Sequence, residues 1–315
     1  MKKIFKIILV NFIIFIFLLA LSEVICYKKL EQRYEEPLKN FNRAKTGNTA
    51  LIRYQRIEKF SYTDLRQSFR IFKKDNAKKK PIIIFGCSFA HGFGLSDNDV
   101  FAKRLSDLSG RTVFDRSSSG TGLQHVYYQL NTKSIQNEIP VADYIIYVFI
   151  YDHFDRLFKN RACIVSQQLM LRYKINNNKL EEIKPIFLPL NSLYTTIVIQ
   201  EHILHTIHNK KVDDESRLFT KIIKESQKTA KEKFPEAKFI ILVYPEPLAS
   251  KYEINLDYYN KELNKLSKEG FIVINAERLV GHPLNSKEYT GKDGYHPSAK
   301  AWQEITPKLV KNLSL

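Results

Sequence analysis

Five short apolar runs constrain this chain more than any other feature: 81–86 (PIIIFG), 111–115 (RTVFD), 143–150 (DYIIYVFI), 238–244 (KFIILVY) and 271–276 (FIVINA). Most are continuous and rich in β-branched residues, which is how strands buried on both faces read. Between and after them lie amphipathic stretches that predict helices at 98–109, 122–136, 215–233, 255–268 and 298–313. Strand and helix in alternation predict parallel βα units with right-handed crossovers. The expected fold class is therefore α/β, a three-layer α/β/α sandwich around a five-stranded parallel sheet.

Two blocks would stand at the carboxyl edge of that sheet, where open α/β sheets place their ligands. The first run ends in Gly86-Cys87-Ser88, and Gly92 and Gly94 free the backbone beyond it. In isolation, G-x-S reads as a strand-to-helix turn whose serine caps the next helix. After the last strand comes Asp293-Gly294-Tyr295-His296-Pro297-Ser298, with Pro297 suited to a first helical turn. By itself this is a turn bearing a surface histidine. Brought to one sheet edge, the two blocks acquire a chemistry. A histidine there can accept a serine proton, and a nearby carboxylate can fix its tautomer and steady the imidazolium. Ser88, His296 and Asp293 are the candidate catalytic residues.

Composition narrows the classes that remain. The 315 residues, 44% hydrophobic and 26% charged, suit one sizeable globular domain or two small ones. The formal charge of +17 is unevenly spread, since residues 1–80 hold 19 Lys and Arg against 7 Asp and Glu. Three cysteines, Cys26, Cys87 and Cys163, are too few and too scattered for a disulfide framework or a metal site. No C-x-x-C, H-E-x-x-H or lysine-bearing phosphate loop occurs. His202, His205 and His208 recur at three-residue spacing, but no carboxylate or cysteine partner is evident. No metal or cofactor is expected.

The first thirty residues read as a targeting segment. Lys2, Lys3 and Lys6 precede Ile7–Leu21, which is apolar except for Asn11 and continues to Cys26 across Ser22 and Glu23. That length suffices for one span. A cleaved signal peptide is the competing reading, but no clean small-x-small site follows the apolar run. The N-terminal lysines favour an inside N-terminus, which predicts a single-pass protein of the cytoplasmic membrane with its domain on the extracytoplasmic side. The basic residues beyond the span would lie near anionic headgroups, each contributing about 1 kcal/mol. Nucleic acid is not an expected partner, because the chain carries no binding motif for it.

The expected organisation is an anchor at 1–29, a basic juxtamembrane arm at 30–80, and a domain at 81–315 interrupted at about 156–214. A structureless loop of that length does not suit a compact domain, so the insertion should form a lid or small subdomain.

Four blocks resemble the SGNH/GDSL hydrolase family, over about residues 81–310. Gly86-Cys87-Ser88-Phe89 resembles the first block, G-D-S-x, with Cys87 in place of Asp. Asp115-Arg116-Ser117-Ser118-Ser119-Gly120-Thr121-Gly122 resembles the second, and Gly120 matches its oxyanion-hole glycine. Ile150-Tyr151-Asp152-His153 falls on the third, G-x-N-D, while Asp293 and His296 meet D-x-x-H in full. The resemblance implies a flavodoxin-like sandwich, ester chemistry on acyl groups, Ser88 as nucleophile, and backbone N–H groups of Ser88 and Gly120 in the oxyanion hole. The larger α/β-hydrolase family fits less well, because Ala90 stands at the second glycine of its G-x-S-x-G elbow.

The third block departs from the family. Its Asn supplies a side-chain donor, and losing such a donor costs about 100-fold in rate. Asp152 cannot donate when ionised, whereas His153 can through a ring N–H. Either His153 is the third donor, or the hole is reduced to two amides, or the site is degenerate. His91, three residues past Ser88, reads as a site-lining or a plain loop residue. Asp152 and Arg156 are candidate substrate contacts, with Arg156 suited to an anionic group or to a structural ion pair. Cys87 reads as a small core residue.

The expected function is a serine-dependent hydrolase of acyl or acetyl esters, on a cell-envelope glycan or lipid, through an acyl-Ser88 intermediate. The alternatives are an O-acyltransferase modifying an envelope polysaccharide, and a catalytically inactive glycan-binding or assembly protein of the same fold.

Overall fold

The computed structural model describes residues 11–12, 14–15, 69–74, 79–158, 173–182, 212–245 and 256–315. Two units make up the chain, residues 1–50 with 185–211 and residues 51–184 with 212–315. In the first, residues 11–12 and 14–15 are helical; the rest of the expected span and the histidines at 202, 205 and 208 lie outside the described residues. Among the described residues, no helix is long and apolar enough to cross a membrane.

The second unit is built on one sheet. Its described strands are β1 (Arg70–Phe72), β2 (Ile82–Gly86), β3 (Val113–Asp115), β4 (Tyr144–Phe149), β7 (Lys238–Val243) and β8 (Ile272–Asn275), in the order β1-β3-β2-β4-β7-β8. A separate hairpin, β5 (Tyr173–Asn176) and β6 (Lys179–Glu182), lies in the 156–214 insertion. Its turn is Asn177-Asn178, both with positive φ (47° and 60°), as a two-residue turn matched to strand twist requires. The remainder of the insertion between residues 159 and 211 lies outside the described residues.

Strands β3, β2, β4, β7 and β8 are mutually parallel and match the five expected runs, trimmed at their ends. Among the described residues the sheet has six strands, one more than the five parallel strands expected from the sequence. The added β1 pairs antiparallel with β3, Ile71 opposite Phe114. Three residues in a lysine-rich stretch leave no periodic signal, and their pairing is set by the neighbour they cover.

The helices follow the alternation. They are α1 (Ser88–His91), α2 (Phe101–Ser109), α3 (Leu123–Asn131), α4 (Ser134–Glu138), α5 (Asp152–Phe158), α6 (Val212–Lys233), α7 (Leu256–Lys268), α8 (Ala276–Val280) and α9 (Ala299–Leu313). Alternate strand residues face opposite layers. Ile83, Phe85, Ile145, Tyr147 and Ile241 pack with α3, α6 and α7, while Ile82, Ile84, Ile146, Val148 and Leu242 pack with α2, α8 and α9. Each buried isoleucine contributes about 2 kcal/mol of transfer free energy. This two-sided burial is why the central strands read as unbroken apolar runs.

From β2 the chain first adds β3 on one side, then returns to add β4 on the other. The crevice between β2 and β4 is thus the topological switch point, where doubly wound sheets open a ligand site. Ser88 follows β2 directly, and α5 begins three residues after β4 ends.

The arm is tied to this edge by charge as well as by pairing. Arg70 donates from Nε (3.1 Å) and Nη2 (2.6 Å) to Oδ2 of the fully buried Asp115, and from Nη1 to Asp97 (3.1 Å). Nη2 also donates to the backbone carbonyl of His91, at the end of the helix that carries Ser88. Removing the guanidinium would leave a buried carboxylate short of its countercharge. Arg70→Ala should lower unfolding stability by about 3 kcal/mol, read as a shift in the urea midpoint at unchanged slope.

Candidate active site

The strand-to-helix turn after β2 depends on one glycine. An added Cβ on Gly86, whose φ is +158°, would lie 2.7 Å from Cβ of Ala90 and 3.2 Å from the carbonyl of Val148. A side chain there would drive α1 away from β4. Ser88 occupies the first turn of α1 and keeps only 8% of its surface exposed. Cys87, where the resembled family carries Asp, is fully buried among α2 and α9 side chains, as a small core residue should be.

His296 reaches Ser88 from the far end of the chain. Its Nε2 lies 2.8 Å from Ser88 Oγ, and its Nδ1 lies 2.5 Å from Oδ2 of Asp293. The other carboxylate oxygen, Oδ1, accepts from the backbone N–H of Tyr295 (3.0 Å) and of His296 (3.1 Å). The loop is closed by Gly291 N–H donating to the His296 carbonyl (2.6 Å), and Ser298 caps α9 by accepting from Ala301 N–H. Asp293 thus spends one oxygen on backbone and the other on the ring. With Nδ1–H donating to Asp293, Nε2 is left as the acceptor facing Ser88 O–H. Burial pushes the Asp293 carboxyl up, but the His296 ring and the two N–H donors outweigh it and hold it below its usual value.

Aromatic side chains enclose the imidazole. The rings of Phe89, Phe93 and Tyr295 lie 5.2, 4.7 and 5.0 Å from that of His296. Phe93 is 42% exposed, so it leans on the imidazole from the solvent side. Neither Phe93 nor Arg70 was legible as a site residue: one sits in a glycine-rich loop, the other in a basic run.

The 116–122 loop is laid against the end of β2. Arg116 N–H donates to Ile84 O (2.8 Å), Ser118 N–H to Gly86 O (3.1 Å), and Thr121 Oγ1 to Gly86 O (2.8 Å). At its exposed tip Gly120 has φ +77°, with open space beside its Cα. His91 is turned to the arm rather than to the dyad. Its Nδ1 lies 3.3 Å from Arg70 Nη2; burial, and then the Arg70 charge, lower its pKa against the opposing Asp115 carboxylate.

The expectation that His153 serves as third oxyanion donor is corrected. His153 has no exposed surface, its Nδ1 is 2.6 Å from Tyr147 Oη, and its ring stacks on Tyr147 at 5.6 Å. Its Nε2 is sealed and has no partner among the described residues. An atom that water cannot touch cannot donate to an oxyanion entering from the cleft. The physical reason is helical: neighbours on α5 point about 100° apart, so one turns inward as the other turns out. Asp152 remains partly exposed, paired with Arg156, whose Nε and Nη2 each lie 2.6 Å from its Oδ2. Arg156 Nη1 donates to Thr121 O at 2.5 Å.

Beneath the loop, His125 Nδ1 accepts from Gly122 N–H at 3.0 Å. Burial first, and the Arg156 charge second, push its pKa down to about 3; the same two causes hold His153 well below its ordinary value. Among the described residues, no group of three or more His, Cys, Asp or Glu is arranged to hold a metal ion.

No family model matches the chain, and no curated protein matches it. Similar solved structures include the lipase Lip_vut3 from a goat rumen metagenome, at 17% identity and TM-score 0.46, covering 74% of this chain and 97% of that one. A member of the lipolytic protein G-D-S-L family from Veillonella parvula is 11% identical with TM-score 0.44, covering 75% and 98%. A family two carbohydrate esterase from Clostridium thermocellum is 12% identical with TM-score 0.42, covering 75% and 64%.

Two outcomes are expected. Gly86→Ala should cost about 1–3 kcal/mol by overpacking, and Ser88 should react more slowly with a serine-directed phosphonate in protein that remains folded by circular dichroism. On acidification, unfolded His125 and His153 take up protons from about pH 6.5, whereas the folded rings do not until far lower. His125 should therefore lower stability between pH 6.5 and about 3, by up to 1.4 kcal/mol per pH unit, and His153 should add to the fall in the same direction. His125→Gln keeps an acceptor for Gly122 N–H and should show a shallower fall of melting temperature over that range. Structures of the G-D-S-L lipolytic family are thus among those similar to this chain, and that is the family whose four blocks its sequence resembles.

Proposed function

We propose that this chain is a carboxylic ester hydrolase of the SGNH/GDSL type, acting through an acyl-Ser88 intermediate. One observation carries the reading: the continuous hydrogen-bonded line from Asp293 through His296 to Ser88 Oγ, with both links at 2.5 and 2.8 Å. Such a line is the arrangement that activates a serine. Ser88 Oγ attacks the ester carbonyl carbon as His296 Nε2 takes its proton, and Asp293 steadies the resulting imidazolium. The tetrahedral oxyanion faces the backbone N–H groups of Ser88 and Gly120. Collapse breaks the bond to the alcohol oxygen, which leaves with the proton from His296. Water, deprotonated by His296, then releases the acid and restores Ser88.

Hydrolysis rather than transfer is supported by access. The His296 and Asp293 side chains retain 14% and 39% of their surface at the rim, so water can reach an acyl-serine. The intact Asp293–His296–Ser88 line speaks against a purely binding role. For the substrate, we propose acyl or acetyl esters of an envelope glycan or lipid, met on the extracytoplasmic side of the cytoplasmic membrane. The lysine-flanked apolar stretch at 2–26 and the basic arm support that location.

The test is acetate release from an aryl acetate by the full chain in detergent. Ser88→Ala and His296→Ala should each lower turnover at least about 1,000-fold, and Asp293→Asn about 10⁴-fold at neutral pH by favouring the wrong tautomer. Wild-type turnover that survives Ser88→Ala would overturn the serine mechanism.

A further inference from the structure

Arg156 is a largely enclosed cation that the proposed reaction leaves unused. Its side chain is only 14% exposed, and it joins two segments that border the site. On one side it grips Asp152, at the start of α5. On the other, Nη1 donates to the carbonyl of Thr121, next to Gly120, while the hydroxyl of the same threonine holds the carbonyl of Gly86. Gly86 lies two residues before Ser88. Burial opposes its charge, and the Asp152 carboxylate beside it acts to keep it.

The side chains around it explain why a cation is needed. A tetrahedral intermediate places a full negative charge in the hole, and preorganised donors aimed at that charge are commonly the largest catalytic term. Asp152 offers only acceptor oxygens, and the His153 ring is sealed in the core. Left alone, a carboxylate at position 152 would repel the oxyanion. Pairing with Arg156 offsets that charge and sets N–H donors beside the same carboxylate. Nη1 carries a second N–H besides the one it gives to Thr121. We propose that Arg156 is the charged donor of the oxyanion site, completing the pair of backbone amides from Ser88 and Gly120. The assignment rests on the ester-hydrolase reading above. It makes Asp152–Arg156 one unit, in which the acid orients the base and the base meets the transition state.

The experiment is the rate of Ser88 phosphonylation by a neutral fluorophosphonate, with kcat and KM on a neutral aryl acetate, for the full chain and its Arg156 variants. A neutral probe removes any contribution from binding an anionic substrate. Arg156→Ala should slow both phosphonylation and kcat by about 100-fold, with KM changed little. Arg156→Lys keeps the charge but loses the fork, whereas Arg156→Gln keeps a donor for Thr121 without charge. If the charge acts on the oxyanion, Lys should react at least about tenfold faster than Gln; that order is the support. Gln equal to or faster than Lys, or Ala within threefold of wild type in folded protein, would overturn the assignment and leave Arg156 a loop clamp. Wild-type protein that fails to label at Ser88 would instead sink the serine reading itself, and this proposal with it.

Discussion

Parallel pairing is the constraint from which the rest of this molecule follows. A parallel strand cannot return through a tight turn, so every crossover must climb back over the sheet as a helix. All five parallel strands consequently end at one edge, and the segments that leave them converge there. Ser88 arrives from β2, the Gly120 loop from β3, Asp152 and Arg156 from the segment after β4, and the Asp293–His296 turn from beyond β8. Residues more than two hundred positions apart meet because topology has already brought their backbones together. The remaining work is local: a glycine that lets α1 settle on β4, and an acid that bonds its own loop before it bonds the histidine.

That second device separates two functions that one carboxylate performs at once. Oδ1 of Asp293 shapes the turn through two backbone N–H groups, and Oδ2 orients the imidazole. The orientation of the His296 ring is thereby tied to the folding of a six-residue turn rather than to a long-range contact. A similar economy governs the positive charges. Arg70 and Arg156 each stand between a carboxylate and a backbone carbonyl, and each bridges a segment to one of the loops that carry the site.

Much of this was legible in the sequence, for identifiable reasons. Strands buried on two faces write themselves as unbroken apolar runs, so the five parallel strands and their order of appearance could be read directly. Ser88, Asp293 and His296 sit in short motifs whose spacing encodes a turn. What stayed hidden depends on direction or distance. Asp152 and His153 are neighbours in sequence but point about 100° apart on α5, and no motif says which turns inward. The Arg156–Asp152 pair has helical i,i+4 spacing, yet its bond to Thr121 crosses 35 positions. Arg70-Ile71-Phe72 becomes a strand only because β3 offers an unpaired edge, and Phe93 becomes a site residue only because His296 lies beneath it.

The arm strand has one more consequence, for how the domain behaves in company. An uncovered outer strand presents a row of unpaired backbone donors and acceptors, which invites pairing with another chain. β1 occupies that row on β3, and its C-terminal end is pinned where Ser106 Oγ donates to Phe72 O (3.2 Å) and Lys74 N–H donates to Thr112 Oγ1 (3.0 Å). The segment that looks like a linker is therefore also a cover. Proteolysis between β1 and β2 would bare that edge: losing β1 would leave β3 open to strand-to-strand aggregation.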